Sequence, residues 1–172
     1  MEQDSVGREK TIRVGVVCVL RWDHEHLLLE VNDPGSGGKF FIPAGGEVNF
    51  SELARDAVIR TVEEDIGVKV ETPTLLGVLE SRIMFDNVPQ HEIMFCFGTD
   101  IDLETKNSIT PESIKAKGRT VGIRWLSRTD IKEFDGVIVP EGLADLILTP
   151  INDPKVPKPA SVTGQETSAE IY

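Results

Sequence analysis

Cysteine is nearly missing from this 172-residue chain: only Cys18 and Cys96 occur, each inside an apolar run and not at metal-ligand spacing. Two buried thiols are the expected state, with a single bridge between them left open by the sequence. No apolar run approaches membrane-spanning length, and Met1-Glu2-Gln3-Asp4-Ser5 does not begin a signal peptide, so a cytoplasmic location is expected. Positive charge is also in deficit, with 18 Lys and Arg against 29 Asp and Glu and a formal net charge of −11. That balance opposes non-specific attachment to nucleic acid or to an anionic membrane, and neither is an expected partner. No helix-turn-helix pattern, basic segment or internal repeat is visible. A phosphorylated ligand would therefore need a cation or a local basic patch.

What the chain does have is a 40% hydrophobic composition, enough for one good core over this length but not for two full domains. Residues 1–10 read as a polar leader. Residues 150–172 read as a flexible tail, with Pro150, Pro154, Pro157 and Pro159 ahead of a Ser, Thr and Glu-bearing end. Between them, over 11–149, the β-branched run from Thr11 to Leu20 and the run from His26 to Val31 predict a hairpin. Asn32 to Gly38 reads as a glycine-rich loop, and Lys39 to Gly46 as a strand entering a glycine turn. Leu75–Phe85, Glu92–Thr99 and Val121–Leu126 predict further strands, the first two bridged by 86–90. Thr129–Glu133 and Glu141–Leu148 predict helices, and Thr105–Gly118 a long polar loop.

The segment from Phe50 to Gly67 predicts an amphipathic helix with Ser51 as N-cap, Glu52 in the first turn and Gly67 as terminator. Ala54, Val58, Val62 and Ile66 form the apolar row that should face the core. Glu52, Asp56, Arg60 and Glu64 form a second row, and Thr61, Glu64 and Asp65 share one face. Carboxylates at i, i+3 and i+4 can converge on a hard divalent cation, which takes several oxygen ligands. The competing reading is a solvated acidic face held by i,i+4 ion pairs.

Taken together, Gly46, Glu52, Arg60, Val62, Glu64, Gly67 and Val68 resemble the Nudix box: a glycine, a Glu six positions on, then Arg-Glu-aliphatic-any-Glu-Glu-any-Gly-aliphatic. Thr61 and Asp65 stand where that pattern has Glu. The resemblance covers roughly Ile12 to Leu148 and makes 11–149 a Nudix-like domain, an α/β/α sandwich around a mixed β-sheet. It implies hydrolysis of a diphosphate bond in a nucleoside diphosphate linked to another group, with Mg²⁺ or Mn²⁺ as cofactor. It implies Glu64, Asp65, Glu92 and the Gly45 carbonyl as metal ligands, Glu64 and Glu92 as the catalytic carboxylates, and Glu52, Arg60 and Thr61 as their supporting network.

A threonine hydroxyl can orient water but supplies neither a carboxylate base nor a negative charge near neutral pH. A second reading follows from Thr61 and Asp65, a nucleotide-binding sensor or scaffold with weakened turnover. Arg13 and Arg82 are candidate phosphate contacts, in competition with ordinary surface roles. His91, Trp22 and Trp125 are read as surface and core residues before acid–base or base-stacking ones. The nucleotide remains unspecified, and the oligomeric state is open, a homodimer included.

Overall fold

A computed structural model describes residues 11–115 and 120–149. The leader call on 1–10 and the tail call on 150–172 lie outside the described residues. An eight-stranded mixed sheet carries the fold, with strands β1 (Ile12–Trp22), β2 (Glu25–Asn32), β3 (Lys39–Ile42), β4 (Ala44–Glu47), β5 (Thr74–Phe85), β6 (Val88–Asp100), β7 (Thr120–Ser127) and β8 (Val137–Ile138). Its main path is ordered β5-β6-β1-β2-β3-β8, with β4 joined to β1 and β7 to β2. The helices are α1 (Ala54–Ile66), α2 (Leu103–Ser108), α3 (Arg128–Glu133) and α4 (Leu143–Leu148).

Strand alternation sorts the long strand β1 into two faces. Val16, Cys18 and Leu20 pack with Ala57, Val58, Val62 and Ile66 of α1. Val17 and Val19 pack on the other side with Ile131 of α3 and Leu143 and Ile147 of α4. The result is the three-layer α/β/α arrangement expected from the sequence, with a parallel β1–β6 pair inside otherwise largely antiparallel pairing. Cys18 and Cys96 are free and buried, and burial pushes both thiols up to about 12.

The hairpin of β1 and β2 forms, but these strands pair only near their turn, at Arg21–His26 and Trp22–Glu25. Further down, β4 takes the place beside β1, with Val16 opposite Gly46 and Val17 opposite Gly45. The single strand expected over Lys39–Gly46 is thus two strands broken at Pro43, whose missing N–H cannot continue a ladder. The bridge expected over 86–90 shrinks to Asp86 and Asn87, both at positive φ, and β6 starts at Val88. The long loop expected over Thr105–Gly118 is corrected in part. Helix α2 already begins at Leu103, with Asp102 capping it by accepting the Thr105 N–H, and a 3₁₀ turn spans Pro111–Ser113.

Helix α1 starts later than expected. Ser51 is not its cap: it lies at φ 65 within the preceding turn, and the N-cap is Leu53, with no side-chain hydrogen bond. A 13-residue helix without a cap is marginal alone. Burial of Val58, Val62 and Ile66, about 1.5–3 kcal/mol each, holds it in place. Gly67, at φ 71, ends it as expected, donating its N–H to the Glu63 carbonyl.

Candidate functional site

Arg60 organises the start of the site. Its Nε donates to Glu52 Oε1 at 2.8 Å and its Nη2 to Glu52 Oε2 at 2.7 Å, a two-pronged grip. Nη1 donates to Glu64 Oε2 at 3.0 Å, and Nη2 also reaches the Glu47 carbonyl at 3.0 Å. Glu52 lies before the helix and not in its first turn, and its Oε2 turns back to accept the Asn49 N–H at 2.9 Å. The Arg60 guanidinium, aided by that N–H, holds the Glu52 carboxyl down at about 2, and the same pairing drives Arg60 upward. One side chain therefore ties the 47–52 segment to the helix.

Asp65 performs the matching task on β4, the strand that stands where a glycine turn was expected, its Oδ2 accepting the Gly45 N–H at 3.0 Å. Gly45 is a required glycine: an added Cβ would stand 2.0 Å from the Val16 carbonyl oxygen of the neighbouring strand. Thr61 is only 3% exposed and its hydroxyl makes a long 3.4 Å bond to the Val58 carbonyl. Its methyl would lie 2.9 Å from a Cβ placed on Gly46. Thr61 is thus a packing residue beneath β4, and the bare backbone of Gly46 is what lets α1 and β4 approach.

Glu64 stays accessible, its side chain 59% exposed despite the Arg60 pair. It lines an open groove of about 540 Å³ along α1 with Asp56, Ile59, Arg60 and Glu63. Glu92 is placed by the β1–β6 register opposite Arg13, whose Nη2 donates to Glu92 Oε1 at 2.7 Å and to Gln90 Oε1 at 2.7 Å. The other arm of Arg13 reaches Glu47 Oε1 at 3.1 Å. Two residues singled out separately in the sequence, Arg13 and Glu92, therefore form one cluster that touches the strand of the glycine turn. Arg82 is not brought to it: exposed on β5 opposite His91, its side chain makes no ion pair or hydrogen bond among the described residues. His91 Nε2 lies 2.7 Å from Glu80 Oε1.

Glu47 and Asn49 are the residues that sequence reasoning missed. The one joins Arg13 to Arg60 through its carboxylate and carbonyl, and the other supplies a backbone N–H, which no side-chain pattern encodes.

A hard cation needs several convergent oxygens. Among the described residues no group of three or more His, Cys, Asp or Glu side chains is close enough to hold one. The physical reasons are local. Thr61 is buried in place of a carboxylate, the shorter Asp65 is turned to Gly45, and Glu64 and Glu92 each face an arginine. As arranged, the donor set does not fit a multi-carboxylate metal cage.

A family model described as the NUDIX domain matches residues 10–145. The uncharacterized Nudix hydrolase YvcI of Bacillus subtilis (strain 168) is 34% identical over 84 residues, 48% of this chain and 51% of that protein. The match thus spans about half the length of that relative. The structure of the MutT protein from Methanosarcina mazei Go1 superposes with a TM-score of 0.59 at 20% identity, covering 82% of this chain and 94% of that one. The NUDIX domain of Shewanella oneidensis NrtR, solved with ADP ribose, gives a TM-score of 0.58 at 15% identity over 84% of this chain and 90% of that one. Identities this low speak for the fold.

Proposed function

Because this chain belongs to the Nudix family, its domain match running over residues 10–145, we propose that it hydrolyses a diphosphate bond in a nucleoside diphosphate linked to another group. The observation that carries this reading is the joining of β4 and the segment after it to the helix: Asp65 holds the Gly45 N–H while Arg60 grips Glu52, so this backbone is fixed to the helix that bears an exposed Glu64. Phosphoryl chemistry is served mainly by positioning and by neutralising charge, and such a rigid frame supplies positioning. Glu64 is the carboxylate best placed to take a proton from attacking water, being open to solvent at the groove. Glu92, oriented by Arg13, is the distal carboxylate, and Arg13 is the nearer of the two proposed phosphate contacts.

Divalent metals such as Mg²⁺ or Mn²⁺ are general in the family and are the proposed cofactor. The described carboxylates do not preassemble a cage for them. That shortfall favours a second reading, a nucleotide-binding sensor or scaffold in which Thr61 and Asp65 have removed most turnover. The ADP ribose bound to the Shewanella relative makes ADP ribose one compound to include in the screen.

Turnover of a panel of nucleoside diphosphate derivatives with Mg²⁺ or Mn²⁺ separates the two. The hydrolase reading expects activity in the natural protein and its loss in Glu64→Gln. Activity gained only in Thr61→Glu supports the binding module, and an inactive natural protein that binds no panel member in calorimetry overturns both.

A further inference from the structure

On the sheet face that carries α3 and α4, away from the packing face of α1, lies a pocket of about 150 Å³ walled by Val19, Leu76 and Ile147 and by Arg21, His26 and Arg128. Pockets for larger organic ligands run to roughly 300–1,000 Å³, so this one suits a small molecule. Along β1, Arg21 stands eight residues from Arg13, about 26 Å at the usual strand rise. The pocket is therefore separate from the Arg13–Glu92 cluster.

Its polar lining is basic. Asp100 pairs with Arg21, its Oδ1 3.0 Å from Nε and its Oδ2 accepting from Nη2 at 3.2 Å. His26, only 5% exposed, has Nδ1 bonded to the Leu126 carbonyl at 3.1 Å, which leaves Nε2 for the pocket. Burial and the two guanidiniums keep its imidazole below its usual pKa. Arg128 donates to the Leu148 carbonyl, a neutral acceptor, and keeps its charge. With Asp100 paired to Arg21, Arg128 is the cation at this pocket without a carboxylate partner among the described residues, and it stands beside an aliphatic wall.

We propose that this pocket binds a small aliphatic monocarboxylate, its carboxylate between Arg21 and Arg128 and its short carbon chain against Val19, Leu76 and Ile147. Guanidinium donors match carboxylate oxygens, and one negative charge balances the lining. A compact, more highly charged oxyanion such as phosphate would leave the apolar wall unused.

Calorimetry on the full chain at constant ionic strength, titrating butyrate and, separately, inorganic phosphate, tests this. The expected result is saturable 1:1 binding of butyrate, tighter than phosphate, weakened at least tenfold in Arg21→Met and in Arg128→Met. Arg128 is exposed, so its variant folds even if Arg21→Met does not, and melting temperatures identify a misfolded variant. No saturable butyrate binding, butyrate binding unchanged in a folded Arg128→Met, or phosphate bound more tightly than butyrate would each overturn the assignment.

Discussion

The side chain of Asp65, near the end of α1, accepts the backbone N–H of Gly45 at 3.0 Å, so the helix and strand β4 are one mechanical unit. A hydrogen bond to a charged acceptor contributes about 1.5–3 kcal/mol. Asp65→Ala should lower stability by roughly that amount and Asp65→Asn by less, as read from denaturant midpoints. Equal effects of the two would mean that the contact to Gly45 carries little.

The Glu52 carboxyl, at 4.5 in its ordinary state, is brought down to about 2 by Arg60 and the Asn49 N–H. A folded pKa below the unfolded one gives a contribution that is complete above pH 4.5 and lost as pH falls toward 2. Unfolding measured at pH 7, 4 and 3 should show this loss in the natural protein and a shallower one in Glu52→Gln. Parallel pH curves would rule out the coupling.

Gly46 and Thr61 should behave as a pair. Gly46→Ala sets a methyl 2.9 Å from the Thr61 methyl, an overpacking expected to cost about 1–3 kcal/mol. Thr61→Ser removes the offending methyl, so the double variant should recover at least about 0.5 kcal/mol relative to additivity. Strict additivity would show that the turn moves aside on its own.

Arg13 and Arg82 look alike in sequence, each an arginine on a strand, but the structure gives them different fates. Arg13→Met breaks contacts to Glu47, Gln90 and Glu92 and should destabilise by roughly 1 kcal/mol while reducing turnover. Arg82→Met breaks no side-chain hydrogen bond or ion pair among the described residues and should stay within about 0.5 kcal/mol of the parent. Matching activity losses in both would place Arg82 at the substrate after all.

The strands and the body of α1 were legible because hydrophobic periodicity reports burial directly. Val58, Val62 and Ile66 are buried as their spacing requires. The start of α1 was not, since Ser51 has the chemistry of a cap but is held at positive φ by a turn that ends in Glu52. The box residues announced a site, yet their geometry depends on partners far away in sequence. Arg13 meets Glu92 only because β1 and β6 run parallel, a pairing that local pattern does not specify. In the sequence Thr61 stands out for its hydroxyl, whereas in the fold its methyl is what meets β4.

Helix α2 sets Lys106 over both tryptophans of the chain, its ammonium 3.9 Å from the Trp22 ring centre and 5.0 Å from that of Trp125. Every tryptophan photon this protein emits thus originates at a single spot. Intrinsic fluorescence is therefore a local gauge of whether α2 is docked, and a change in emission that precedes global unfolding would mark this helix peeling from the sheet.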